Sequence, residues 1–384
     1  ASAGSGDLPA GGPYATFFVA VHNEERIIER CILSLVNQTY RNCRVVFVND
    51  ASTDGTAAVL DRYAERGLIR VIHLARNVGK KKALAAAMLG DPGEVFVFTD
   101  SDSVVAPDAV EKLMTVFASD PDVGAVSGHC RALNADANLL TRVQDSWYEG
   151  QFSIKKAFES IFGAVTCVSG PLAAFRREAV YNFIPAWTED TFLGREFRFA
   201  TDRTLTGFVL GSRFVGRKLK RRYAGSPFVE EVDYPARDWK IVYCKAARAW
   251  THVPDTFGRF LHQQVRWKKS FVRNLFFTGR FYWRKPLCAA VNYYLHALFV
   301  VAGPFVAFRH LVYLPLNGNY VSGLLYFLGI AYIGFLFGLA FRIENRGSRR
   351  WLLRPVMSLM STLCLSWLIF YSLATIRRSV WRRG

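Results

Sequence analysis

Two aspartates flank one serine in Asp100-Ser101-Asp102, at the end of the apolar run Val95-Phe96-Val97-Phe98-Thr99. Carboxylates alternating in this way leave an extended chain on one side and offer hard oxygen donors to a divalent cation such as Mn2+ or Mg2+. A cation held there neutralises the charge that gathers on a departing diphosphate. The same pair could be only a solvated turn; the buried strand in front of it is what argues for a site. Two other segments add to the case. Asn49-Asp50 ends the apolar run at 44–48, so Asp50 can accept a hydrogen bond from a nucleobase ring N–H, while Ser52, Thr53 or Asp54 caps the helix that follows. Asn77-Val78-Gly79-Lys80-Lys81-Lys82 opens another helix, where backbone N–H groups and Lys80 can meet phosphate oxygens. The bland alternatives are a turn and cap at 49–56 and a solvated lysine face at 80–82.

The elements that must position these residues follow from periodicity. Apolar runs at 17–21, 44–48, 69–74 and 94–99 predict strands, and 24–36, 56–66 and 81–89 predict the helices between them. Strands alternating with helices predict a parallel, doubly wound sheet, in which ligands bind beyond the carboxyl ends of the strands. Both acidic segments fall at such ends.

From residue 286 onward apolar residues dominate. The stretches 287–312, 320–341 and 355–376 are each long enough to cross a hydrocarbon layer of ~30 Å, which takes ~20 helical residues. The formal net charge of +18 is concentrated at 213–222, at 266–285 and beside the apolar stretches, with Arg342, Arg346, Arg349, Arg350 and Arg354 as the clearest border cluster. Border arginines are what the positive-inside rule expects, and no nucleic-acid motif accompanies the charge. A lipid bilayer is therefore the expected partner, and nucleic acid is not. Three crossings would put the 342–354 loop on the side of the catalytic half but send the basic tail at 377–383 to the other side, against that rule. Either the first stretch, interrupted by Gly303-Pro304, or the last then doubles back, or one segment only lies on the membrane. The aromatic, basic segment 271–285 predicts an amphipathic interface helix, with a solvated helix as its alternative. The seven cysteines include no CxxC spacing, which argues against a disulfide framework or zinc site and fits a reducing, cytosolic face. Residues 1–13 read as a flexible lead-in.

The most specific signal is Gln263-Gln264-Val265-Arg266-Trp267. Arginine binds a diphosphate bidentately, tryptophan offers a flat apolar face to a sugar ring, and glutamine can hydrogen-bond that ring. Together with Asp100-Ser101-Asp102, this QxxRW run resembles the signature of processive family 2 glycosyltransferases, which include cellulose, chitin and hyaluronan synthases. Three further segments resemble the hyaluronan and chitooligosaccharide synthase branch. Phe162-Gly163-Ala164-Val165-Thr166-Cys167-Val168-Ser169-Gly170-Pro171-Leu172 looks like its acceptor-site loop, Thr201-Asp202-Arg203-Thr204-Leu205-Thr206 like its (E/D)DRHLT element, and 263–270 like its QQxRWxKS form. The likeness runs from Phe17 to Arg280 and, less specifically, through the apolar region.

That resemblance implies a GT-A type (Rossmann-like) α/β domain at 14–262, the QxxRW run and interface helix at 263–285, and a transmembrane region with a basic tail at 286–384. It implies an integral membrane enzyme of the plasma (inner) membrane with its catalytic domain in the cytosol. Such an enzyme transfers sugars with inversion from UDP-sugar donors to a growing β-linked polysaccharide, using Mn2+ or Mg2+. Carried over residue by residue, Asp102 and Asp100 hold the metal; Asp50, Lys80, Asp100 and Arg266 bind the donor; Gln263, Trp267, Ser169, Gly170 and Pro171 meet the acceptor sugar; and Asp202 is the general base. The family's usual acid before the base is Thr201 here, and its usual histidine after Arg203 is Thr204. Thr188-Glu189-Asp190 matches the TED motif of cellulose-type synthases, which makes Asp190 the alternative base; the residues around Asp202 and its distance from Gly170 suit the hyaluronan branch. Trp381 stands where such synthases place a gating loop over the nucleotide, and equally suits a membrane-interface tryptophan. The stretch 211–240 is longer and more basic than the family's usual connection, and reads as a surface insertion or as a contact for lipid headgroups or an acidic product. Such synthases usually carry one or two spans ahead of this domain, and residues 1–15 contain none. Other readings are a chitin- or cellulose-type synthase, a non-processive transferase to a lipid phosphate, and an inactive sugar-nucleotide-binding membrane protein. QxxRW argues against the non-processive transferase, and the intact carboxylates argue against the inactive protein.

Overall fold

A computed structural model describes residues 12–378, so Trp381 and residues 1–11 lie outside the described residues. The chain divides into two units: residues up to 133 with 156–252, and residues 134–155 with those from 253 onward.

The first unit is built on strands β1 (Ala15–Val21), β2 (Cys43–Asn49), β3 (Arg70–His73), β4 (Val95–Phe98), β5 (Ser103–Val105), β6 (Val123–Ala132), β7 (Ala173–Arg176), β8 (Thr191–Phe192), β9 (Arg195–Glu196) and β10 (Lys240–Thr251). β8 and β9 pair with each other, and the rest form one sheet in the order β3-β2-β1-β4-β7-β6-β10-β5. Strands β1, β2 and β4 are runs of Val and Phe because helices cover both faces of the sheet, and Phe17, Phe18, Phe47 and Phe96 have no exposed surface. Helices Ile28–Val36, Thr56–Glu65, Lys80–Met88 and Ala109–Ser119 follow β1, β2, β3 and β5. The helix expected from residue 24 begins at Ile28, because Glu24 is drawn into a turn: its N–H donates to Thr56 Oγ1 at 2.8 Å and its carbonyl accepts from Ile27 and Ile28 at 3.0 Å.

The expected all-parallel sheet is corrected to a mixed one. Strands β3, β2, β1 and β4 are parallel neighbours, but β7 enters between β4 and β6 antiparallel to both. Its chain has already returned through 157–172, so it starts where β4 ends, with Ala173 opposite Phe98. None of the seven cysteines is in a disulfide.

The second unit is helical. Helix Leu139–Gly150 starts at a capping box in which Asn138 accepts from Thr141 N–H, and helix Phe257–Thr278 carries the QxxRW run. The segment read as an amphipathic interface helix at 271–285 is the end of this helix followed by a short 3-10 turn at Tyr282–Arg284. Among the described residues two helices are long and apolar enough to cross a membrane, Leu287–Leu316 and Tyr320–Glu344. Most of their apolar side chains are not packed in a core, Phe299 being 71% exposed and Leu325 63%. Pro304 does not break the first of them; the helix passes through it and loosens only in the π-helical stretch Arg309–Tyr313. The third apolar stretch is the bent one, Arg350–Leu365 meeting Leu368–Ala374 at 44°. Thr362 Oγ1 donates to Ser358 O at 3.1 Å and Ser366 Oγ to Thr362 O just before the bend, and such hydroxyl back-bonds bend helices.

Phe96 lies in the strand that delivers Asp100 and Asp102. Phe96→Ala should cost about 3–5 kcal/mol and lower the melting temperature by about 10 °C, as read by scanning calorimetry of the solubilised protein.

Candidate active site

β4 ends at Phe98, and the chain beyond it carries Asp100 and Asp102 out of the sheet. Register fixes both neighbourhoods. β5 pairs antiparallel with β10, setting Thr251 opposite Ser103, so Thr251 Oγ1 donates to Asp102 Oδ1 at 3.2 Å. Burial, with the charge of Asp100 adding to it, pushes the Asp102 carboxyl up to about 6, and Lys80 offsets this only in part. Lys80 Nζ forms an ion pair with Asp100 Oδ1. Burial opposes its charge, but Asp100, Asp202 and Asp102 together outweigh that and raise its pKa. A lysine ammonium thus already sits on one of the paired carboxylates. The two carboxylates offer the hard oxygen donors a divalent cation takes, and a cation there would compete with the Lys80 ammonium for Asp100. Among the described residues no three or more His, Cys, Asp or Glu side chains are placed to hold a metal ion between them, so a cation on Asp100 and Asp102 would complete its shell with water or substrate oxygens.

Asp50 is buried and its carboxylate accepts two backbone bonds, from Val78 N–H at 2.7 Å and Gly79 N–H at 2.9 Å. It therefore pins the turn that opens helix Lys80–Met88 and aims Lys80. The residue after it, Ala51, has φ +56°, a left-handed conformation costly for a residue with a Cβ and often found near functional sites.

Asp202 lies in the first turn of helix Thr201–Leu210, whose N-cap Ala200 is also left-handed at φ +59°. One carboxylate oxygen accepts from Gly170 N–H at 3.2 Å and from the Cys167 thiol at 3.6 Å, and the other accepts from Arg203 N–H at 2.8 Å. Thr206 Oγ1, bound to Asp202 O, takes the Val168 N–H at 3.0 Å. On its other side the loop is held by Thr99 Oγ1 donating to Pro171 O at 2.7 Å. A Cβ added to Gly170 would lie 3.1 Å from Asp100 Oδ2. Gly170 therefore stands between the two carboxylates, and a side chain would crowd the gap.

Lys156 was not legible as a site residue. It ends the π-helical stretch Gln151–Lys156, is buried, and donates to Ser127 Oγ at 2.9 Å and to Ser169 Oγ, tying the same loop to β6. Burial lowers its pKa against the pull of Cys167 and Asp202. In the sequence it is one of two adjacent lysines, which reads as solvated surface. Asp190 is placed differently from Asp202. It is 5% exposed and paired at 3.2 Å with the equally buried Lys81, whose ammonium also donates to Phe197 O at 2.9 Å. That pair holds the β8–β9 hairpin closed and leaves Asp190 little access to an acceptor.

In the second unit, Trp267 packs with Trp147 at 5.5 Å between ring centroids and with Tyr148 at 6.3 Å. Gln263 Oε1 and Gln264 Nε2 are buried with no hydrogen-bond partner among the described residues, and Arg266 is half-buried on the same helix.

A sheet whose central parallel strands end in paired carboxylates, with a third carboxylate on a helix tied to the loop ahead of the antiparallel strand, has the architecture of a glycosyltransferase of the GT-A fold. The fold is shared with a mannosyltransferase from Pyrobaculum calidifontis solved with GDP-mannose and Mn2+, at a TM-score of 0.53 and 21% identity over 93% of this chain and 88% of that one. Residues 16–183 match the model of glycosyl transferase family 2, and the chain carries a domain of that family. Across 91% of its length it is 29% identical to hyaluronan synthase of Streptococcus pyogenes, spanning 77% of that protein. Across 68% it is 33% identical to an N-acetylglucosaminyltransferase of Rhizobium leguminosarum bv. viciae, spanning 56% of it.

The two candidate bases should separate by stability. Asp190→Asn strands the Lys81 ammonium in the interior and should lower stability by about 3–5 kcal/mol. Asp202→Asn keeps one of the two acceptor oxygens and should cost only about 1 kcal/mol. Thermal unfolding of the two purified variants side by side checks both.

Proposed function

We propose that the protein is a membrane-integrated, inverting polysaccharide synthase that uses UDP-sugar donors with Mn2+ or Mg2+. The observation that carries this reading is Gly170, whose N–H donates to Asp202 while its α-carbon faces Asp100. The donor carboxylates and the base are thus one glycine apart, close enough to act on the two ends of one forming glycosidic bond. Asp202 accepts the proton of an acceptor hydroxyl, and that oxygen attacks the anomeric carbon from the face opposite the leaving group. The anomeric C–O bond breaks and its electron pair departs with UDP. Asp100 and Asp102 would hold the cation, which would supply positive charge against the developing diphosphate. Lys80 adds a second positive charge there, and Asp50 holds the turn that presents it. Ser169, Gly170 and Pro171 form the acceptor-side wall. Arg266, Gln263 and Trp267 are assigned to the diphosphate and the acceptor sugar on their chemistry; the unpartnered Gln263 oxygen suits a sugar hydroxyl. Likeness to hyaluronan synthase and the two apolar helices support a polymer product and a bilayer setting, with the catalytic unit cytosolic.

Purified protein supplied with Mn2+ or Mg2+ should release UDP from UDP-N-acetylglucosamine, UDP-glucuronic acid or the two together, and gel sizing should reveal a polymer. Asp202→Asn should reduce release by at least about 10²-fold while leaving UDP binding intact; near-normal turnover would remove Asp202 from the base role. Cation binding must displace the proton that Asp102 retains up to about pH 6. Apparent Mn2+ affinity, read from the electron paramagnetic resonance of the free ion without donor, should therefore be constant above that pH and fall as pH drops through it. Affinity that does not change between pH 5 and 7.5 would put the cation elsewhere.

A further inference from the structure

Helix Ser212–Arg222 follows directly on the helix that carries Asp202, with Gly211 between them. Six of its eleven residues are Arg or Lys and none is acidic. It packs through Gly216, where an added Cβ would lie 3.1 Å from Ala236 Cβ and 3.3 Å from Phe183 Cζ. Beside that contact is an open cavity of about 520 Å³ lined by Arg213, Phe214, Arg217, Ala236, Arg237 and Asp238.

The basic residues of this region differ in their partners. Lys220 is satisfied by Asp233 and by Tyr234 O at 2.7 Å, and Arg237 by Asp122 at 3.2 Å and the face of Trp239 at 4.6 Å. Arg213 and Arg217 have neither an ion pair nor a hydrogen bond among the described residues, and both line the cavity. They stand four residues apart on one helix face, where like charges repel and weaken the helix. An anion between them would relieve that repulsion.

We propose that this cavity binds a phosphate-bearing ligand at a site separate from that of Asp100 and Asp202. Guanidinium forks match phosphate oxygens bidentately. With Arg237 offset by Asp122 and Glu178, Arg213 and Arg217 against Asp238 leave the lining one positive charge in excess, the sign that a phosphate monoanion or diester requires. The volume lies in the range of small-molecule sites, and Phe214 offers an apolar wall to the organic part of the ligand. None of the lining residues belongs to the site of Asp100 and Asp202, and the ten-residue helix Thr201–Leu210, about 15 Å long at ~1.5 Å per residue, lies between Asp202 and Arg213 along the chain. The phosphate can belong to a soluble organic phosphate or to an anionic phospholipid headgroup.

The test uses the whole chain in detergent. Inorganic phosphate binding is followed by phosphorus NMR line broadening, and phosphatidylglycerol retention, against phosphatidylcholine, by native mass spectrometry. One of the two probes should bind saturably, and R213Q/R217Q should weaken it by at least about tenfold, while K218Q/R221Q, which removes equal charge from the same helix outside the cavity, should stay within about twofold of the parent. Loss of phosphate binding assigns a soluble ligand, and loss of lipid retention assigns a headgroup. Equal weakening in both double variants, no weakening in R213Q/R217Q, or no binding of either probe would overturn the proposal.

Discussion

The antiparallel pairing of β4 with β7 is the constraint on which the site depends. Val95 opposes Arg176 and Phe98 opposes Ala173, so the loop ahead of β7 must emerge beside the residues that leave β4. Thr99 bonds to Pro171 across that junction, and Gly170 comes to lie against Asp100. A slip of one residue would turn every β7 side chain to the other face of the sheet, and with it withdraw the loop. Because the loop is also tied to helix Thr201–Leu210 through Asp202 and Thr206, one register brings the paired carboxylates and the third carboxylate together.

Charge is the second constraint. Asp100, Asp102 and Asp202 together raise the pKa of Lys80, and burial with the charge of Asp100 raises that of Asp102. Lys156 is buried and donates to the Ser127 and Ser169 hydroxyls, which ties the loop to β6. The left-handed residues Ala51 and Ala200 sit next to this cluster. Such strain persists only where surrounding contacts over-determine the backbone; here those contacts are the bonds of Asp50 to Val78 and Gly79 and the ties of Asp202 to its loop.

The second unit reverses the arrangement of a water-soluble core. Its helices Leu287–Leu316 and Tyr320–Glu344 expose apolar side chains, while helices Leu139–Gly150 and Phe257–Thr278 bury Gln144, Asp145, Ser146, Glu149, Gln264, Lys269, Ser270 and Asn274. Buried polar groups need partners, and most have them: Arg350 reaches Asp145 at 2.7 Å, Asn345 reaches Glu149 at 3.1 Å, and Lys269 takes Thr375 O at 2.7 Å. Gly334 and Gly338 allow helix Tyr320–Glu344 to approach its neighbour closely, since a Cβ on either would lie 2.6 Å from the Pro355 or Trp351 backbone. Small residues four apart serve this purpose in apolar surroundings, where helices associate by close packing rather than by hydrophobic burial.

The sequence by itself determined the strand and helix order of the first half, the three apolar stretches, and the chemistry on offer at Asp100, Asp102, Asp202 and the QxxRW run. These are local properties: side-chain period, strand ends and short motifs depend on neighbours along the chain. Tertiary structure alone decided that the sheet is mixed, that Asp50 holds a turn, that Lys81 and Asp190 are consumed by each other, and that Lys156 belongs to the site. Lys80, Lys81 and Lys156 look alike in the sequence, each beside another lysine, yet one meets Asp100, one a buried aspartate and one two serines. Their roles differ because a lysine's role is set by the groups that surround it in space, and strand pairing between distant segments chooses those groups.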